Sequence, residues 1–179
     1  MKPTETLARF DGFLATERLR LEAVVVGGAA LGLLGIITRE TRDCDVVEPS
    51  LPPELLDAAH RFAAESRSRG EVLKDDWLNN GPSSLTSVLP AGWRDRLQRA
   101  FSGRALLLQT LTRSDLLKTK LFALCDRGLD IKDCLAMNPS AGELAESLPW
   151  LEQQNFNPDW PAHVRATLVD LGRKLGHGV

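Results

Sequence analysis

The chain has 179 residues, with 43% hydrophobic and 26% charged residues and a formal net charge of -2. That balance excludes a largely disordered chain and an overall basic field of the kind that holds nucleic acid. Three cysteines, Cys44, Cys125 and Cys134, form no disulfide or zinc pattern and fit a reducing, cytoplasmic setting.

The start MKPTETLARF carries acidic and polar residues early and does not read as a signal peptide. Residues 5–18 place Leu7, Phe10, Phe13 and Leu14 on one side of a helix. Residues 22–26 (EAVVV) read as a buried strand that ends at Gly27 and Gly28. A short buried helix is expected from Ala29 to Ile36. The apolar run from Ala23 to Ile37 is broken by four glycines and is shorter than the roughly 20 residues of a membrane helix. Residues 43–48 (DCDVVE) read as a second strand. Pro52 and Pro53 open a helix whose inner face carries Leu55, Leu56, Ala59, Phe62 and Ala63, with a polar break at 66–71. Trp77 and Leu78 suit a short strand, and Asn79-Asn80-Gly81-Pro82 a turn.

Arg94, Arg96, Arg99 and Arg104 surround Trp93 and Phe101. This group reads first as a solvated helix face with its apolar residues in the core; RNA contact is the alternative. Residues 104–110 suit a strand. Residues 114–126 suit a helix with Ser114 as N-cap. After Asp130 the pattern is helical, with breaks at Asn138-Pro139 and Asn157-Pro158 and a last helix over about residues 160–175. Trp150 and Trp160 read as packing residues between these helices. His60, His163 and His177 are too dispersed for a metal site. The expected fold is α/β (α+β): a small mixed sheet flanked by helices over residues 1–112, and a helical C-terminal region over 113–179, packed on it or continuous with it as one domain.

The chemistry centres on Val26-Gly27-Gly28, a helix, and Thr41-Arg42-Asp43-Cys44-Asp45. On a strand, Asp43 and Asp45 project to one side and Cys44 to the other. Two like charges so placed are stable when exposed, protonated or bridged by a cation. Mg²⁺ suits such hard oxygen ligands, with phosphate oxygens completing its shell. A glycine pair lets phosphate approach the backbone, because no Cβ intervenes.

A glycine pair after a strand, a short helix and D-x-D on the next strand resemble the polymerase-β-like nucleotidyltransferase superfamily. The run from Asp115 through Lys120, Arg127 and Asp130 to Asp133 is similar to the lysine-bearing helix of bacterial minimal nucleotidyltransferases, including those of toxin–antitoxin systems. The resemblance covers roughly residues 20–135. It implies that Asp43 and Asp45 are the catalytic metal ligands and that Gly27, Gly28, Lys120 and Arg127 bind nucleotide. Asp130 and Asp133 would shape a helical wall. The implied activity moves an NMP from an NTP to an acceptor hydroxyl on RNA, protein or a small molecule, with Mg²⁺ as cofactor, no membrane and room for a protein partner.

The superfamily usually adds a third carboxylate from a later strand. Asp75 and Asp76 precede the candidate strand, and Asn79 stands where the carboxylate is expected. An asparagine cannot act as a base at neutral pH. The alternative reading is therefore a nucleotidyltransferase fold that binds or regulates without catalysing transfer.

Overall fold

The computed structural model describes residues 1–177. The chain divides into two compact units. One comprises Met1–Ser87 with Gly92–Thr112, and the other Val88–Ala91 with the chain from Arg113 onward.

The first unit is a five-stranded mixed sheet with helices. Helix α1 (Pro3–Thr16) starts with proline in its first turn, and Leu7, Phe10 and Leu14 form its fully buried stripe. Strand β1 (Leu21–Val26) leads into helix α2 (Gly27–Leu33), which buries Ala29, Ala30 and Leu31. Strand β2 (Cys44–Glu48), helix α3 (Pro53–Ser68) and the two-residue strand β3 (Leu78–Asn79) follow. After two 3-10 segments, Gly81–Ser87 and Trp93–Arg96, strands β4 (Gln98–Ser102) and β5 (Leu106–Thr110) complete the sheet. The strand order is β3-β2-β1-β5-β4. Central β1 pairs antiparallel with β2 and parallel with β5. This confirms the expected mixed sheet flanked by helices.

Aromatic packing joins α1, α3 and the entry to β3. The Phe10 ring lies 5.1 Å from Phe62 and 5.0 Å, edge-on, from Trp77. Trp77 is fully buried and donates its indole N–H to the Ala59 carbonyl at 3.1 Å.

Four readings need correction. The glycine pair does not separate strand from helix: Gly27 and Gly28 are the first residues of α2, which ends at Leu33 instead of continuing to Ile36. Helix α3 runs through the predicted polar break as far as Ser68, since Ser66 is buried and a solvated polar face does not interrupt a helix. Ser114 is no N-cap, because helix α4 (Arg113–Arg127) already includes it. Most importantly, residues around Arg94–Arg104 are not a helix face. Trp93–Arg96 is one 3-10 turn, and β4 follows as an edge strand paired antiparallel with β5. Cross-strand pairing outweighs a local pattern that mimics a helix.

The β4–β5 turn is tied to α1 by one side chain. The Asp11 carboxylate accepts N–H bonds from Arg104 (3.1 Å), Ala105 (2.7 Å) and Leu106 (2.8 Å). Gly103 makes room for it: a Cβ there would lie 2.2 Å from the Asp11 carboxyl.

In the second unit, α4, α5 (Ile131–Met137), α6 (Ala141–Glu152) and α7 (Trp160–Lys174) form the helical region. Ser140 and Glu143 make a reciprocal capping box at the start of α6. Phe122 lies 6.2 Å from both Trp150 and Trp160, so the tryptophans do pack these helices together. Among the described residues, no helix is long and apolar enough to cross a membrane.

Partial burial pushes the Asp11 carboxyl up, but its three amide bonds and the nearby Arg104 outweigh that and hold it below the usual carboxylate range. A depressed carboxylate stabilises the fold above its unfolded pKa of about 3.9, and that contribution fades as pH falls through the lower folded value. Asp11→Ala should therefore cost about 1–2 kcal/mol at pH 7. Thermal melts of parent and variant should converge in strong acid.

Candidate functional site

Strand β2 places the acidic pair. Asp45 lies within the strand and Asp43 immediately before it, one residue later than the predicted start. Both are half-buried, whereas Cys44 and Val46 are fully buried. Cys44 thus points into the core, as strand alternation requires. Burial, reinforced by the neighbouring Asp45 and Asp43 charges, pushes its thiol far up. Cys134 and Cys125 are also held protonated, mainly by burial, at about 12 and about 11. None of the three has the lowered pKa of a thiol nucleophile.

The sheet register surrounds Asp45. Its antiparallel partner is Val26, the last residue of β1, and its parallel partner is Asn79 in β3. Gly27 follows Val26 and adopts φ +70°, a conformation that strains residues with a Cβ. A Cβ at Gly27 would lie 2.7 Å from Asp45 Oδ2. At Gly28, a Cβ would lie 2.9 Å from Thr41 Cγ2 and 3.9 Å from Arg39 Nη2. Gly27, Gly28, Thr41 and Asp45 are therefore brought together, and the glycines are required by close approach as well as by the turn.

Asn79 occupies the strand position beside Asp45, where the third carboxylate was expected. Its side-chain oxygen accepts the Gly81 N–H at 2.7 Å, and its amide nitrogen donates to the Asp76 carbonyl at 3.3 Å. Asp75 is exposed and paired with Arg67 at 2.7 Å. Among the described residues, no cluster of three or more metal-ligating His, Cys, Asp or Glu side chains exists. The sequence reading missed Asn80. It accepts the Leu51 N–H at 2.6 Å and donates to the carbonyls of Val46 (3.1 Å) and Pro49 (3.0 Å), which fixes the end of β2. Its only sequence signal was the turn motif.

The other predicted residues belong to the helical unit. Lys120 Nζ lies 3.0 Å from Asp130 Oδ2 and 2.9 Å from Asp133 Oδ2. Lys120 and Asp133 are buried, and Asp130 caps α5 in a left-handed conformation. Burial alone would pull the ammonium down, but the Asp133 bond and the Asp130 charge push it above its ordinary value. Arg127 is exposed, and its nearest acidic partner is Asp126 at 3.6 Å. Lys120, Asp130 and Asp133 thus form one cluster that does not include Arg127.

The fold and the acidic pair define a class: a mixed sheet with flanking helices, a glycine pair after its central strand, and two carboxylates at the start of the adjoining strand. The chain belongs to the family described as "Nucleotidyltransferase of unknown function" (DUF6036), whose model matches residues 6–142. No curated protein and no solved structure gives a significant match.

Two substitutions test this geometry. Gly27→Ala should cost about 1–2 kcal/mol from the left-handed backbone alone, and its Cβ would also displace Asp45; a thermal melt measures the loss. Lys120→Met leaves the buried Asp133 carboxylate without its ammonium and should destabilise the protein by about 3 kcal/mol in denaturant unfolding. Because Lys120 has a raised pKa, its contribution is complete below the unfolded value of about 10.4 and is lost as pH rises through the folded one. The difference between parent and variant should therefore be flat near neutrality and shrink only in strong alkali.

Proposed function

We propose that the protein is a Mg²⁺-dependent nucleotidyltransferase of the polymerase-β-like type, with Asp43 and Asp45 as metal ligands. The carrying observation is the position of Asp45, level with the end of β1 and against Gly27. The donor set fits the ion: Mg²⁺ commonly takes one or two protein carboxylates and fills its shell with water and substrate phosphate oxygens. When bound, it would neutralise the triphosphate and stabilise the charge that develops during transfer.

The chain's own contribution is placement. Gly27 and Gly28 keep side chains away from the incoming phosphates. Asp43 and Asp45 offer oxygens from a rigid strand, which fixes their spacing. The acceptor hydroxyl oxygen forms a bond to the α-phosphorus while the bond from that phosphorus to the bridging oxygen breaks. Pyrophosphate leaves, and the hydroxyl proton is released to solvent. The assignment of Lys120 and Arg127 to nucleotide binding rests on the resemblance of residues 115–133, and Lys120 is engaged with Asp130 and Asp133. The acceptor is RNA, a protein or a small molecule. A toxin–antitoxin setting with a protein partner rests on the resemblance of residues 115–133 alone.

Asn79 supports a second reading. It stands beside Asp45 with both ends of its amide engaged, and it has no basic group with which to activate a hydroxyl. A protein of this kind would bind nucleotide and metal without transferring the nucleotidyl group.

Calorimetry with the four NTPs, with and without Mg²⁺, tests both. The parent should bind in a Mg²⁺-dependent way, and Asp43→Ala/Asp45→Ala should lose at least about tenfold in affinity, the scale of one lost charged contact. Mg²⁺-dependent binding without pyrophosphate release on any acceptor class would select the second reading. A folded parent that binds no NTP would refute both.

A further inference from the structure

The sheet carries a groove beyond the acidic pair. Its volume is about 390 Å³, within the range of small-molecule sites, and it is lined by Glu22, Ala23, Val24, Glu48, Pro49, Leu97 and Gln109. The strand register relates it to Asp45. Residues directly opposite in paired strands share a face. Along β1, alternation puts Glu22, Val24 and Val26 on one face. Val24 is opposite Glu48 on β2 and Gln109 on β5, and Val26 is opposite Asp45. The groove therefore opens on the face that bears Asp45. Its Val24 row lies two residues, about 7 Å, along the strand from the Val26 row.

A bulge makes this arrangement. Strict alternation in β2 would turn Asp45 and Glu48 to opposite faces. The register shifts between Val24 and Val25, so that Val24 meets Glu48 while Val25 meets Val46. The extra residue returns Glu48 to the Asp45 face, a recognised use of bulges.

The polar groups of the groove are unequal. Glu48 is held by Arg94, whose Nη2 lies 2.8 Å from Oε2 and whose guanidinium sits 4.3 Å from the Trp93 ring centre. Glu22 is exposed and Gln109 half-buried, and neither side chain has a hydrogen-bond partner among the described residues. Both side chains reach solvent at the groove, so their hydrogen-bonding capacity is open to a ligand that enters it. Val24, Leu97 and Pro49 supply the apolar surface. An apolar surface edged by a carboxylate and an amide suits a flat heterocycle with amino donors: a carboxylate accepts from an amino group, and a glutamine amide pairs with an adjacent donor and acceptor.

We infer that this groove is the nucleobase subsite of the proposed nucleotide site, and that it selects bases bearing an exocyclic amino group over uracil. The inference rests on the nucleotidyltransferase reading. Glu22 is acceptor-only when ionised and so meets adenine, guanine or cytosine with a complementary group. Uracil has no exocyclic amino group, and its one ring N–H on that edge is flanked by carbonyl oxygens that face the carboxylate unfavourably. The Asp45 end of the face then receives the phosphates, and the β1 floor lies beneath the base.

The test is calorimetry in Mg²⁺ with ATP, GTP, CTP, UTP and inorganic triphosphate as separate probes, on the parent, on Glu22→Leu/Gln109→Leu and on Gln109→Ala. The parent should bind the three amino-bearing nucleotides about tenfold more tightly than UTP, the scale of a hydrogen-bonded group meeting an unsuitable partner. The double variant should bring them down to the UTP level while leaving inorganic triphosphate unchanged, and Gln109→Ala should narrow the gap in part. If triphosphate binds and all four nucleotides bind the parent alike, the groove assignment fails and the metal site stands. A preference that persists in the double variant also overturns it, since base recognition then lies elsewhere. If neither the nucleotides nor triphosphate binds the folded parent, both readings fall together.

Discussion

The pairing of Val26 with Asp45 is the constraint on which the candidate site depends. It places a carboxylate level with the end of the central strand, where the chain turns through Gly27 into α2. A slip of one residue would bring Cys44 to that position and drive the charge of Asp45 into the core. The core resists this: Cys44, Val46 and Val25 are all fully buried on the other face. Apolar packing behind the sheet therefore fixes the acidic pair in front of it. The glycine pair belongs to the same constraint, because the space a Cβ would fill at Gly27 is held by Asp45 itself.

The charged residues divide into groups with separate duties. Asp11 is a structural carboxylate whose bonds go to the backbone of the β4–β5 turn. Lys120 joins two carboxylates within the helical unit, and its burial makes that cluster expensive to break. Arg94 bridges Glu48 and the Trp93 ring, so part of the basic group around residue 94 serves the sheet face rather than a long helix. Asp43 and Asp45 differ from these in occupying a strand end beside a glycine turn.

Much of this was legible in the chain. The helix periods of α1, α3 and α7, the β-branched run of β1 and the alternation of β2 all reflect local rules of side-chain direction and burial, which a sequence states directly. Asn79 was likewise readable as an asparagine where a carboxylate was expected, and its register beside Asp45 agrees. Strand β4 was not legible. Its arginines and aromatics have a spacing that a helix would also satisfy, and only pairing with β5 makes them a strand. The start of α2 was misplaced because a glycine with positive φ serves equally as a turn or as the first residue of a helix.

The sequence by itself determined the type of most elements, β4 excepted, the facing of Cys44 away from its acidic neighbours and the membership of a glycine pair and a D-x-D in one constellation. These follow from residue chemistry at short range. Only the tertiary structure decided that Asp45 sits between Val26 and Asn79, that a bulge returns Glu48 to its face, and that Lys120 is held by Asp130 and Asp133. Register, bulges and buried ion clusters depend on which distant segments meet, and no local pattern encodes that meeting.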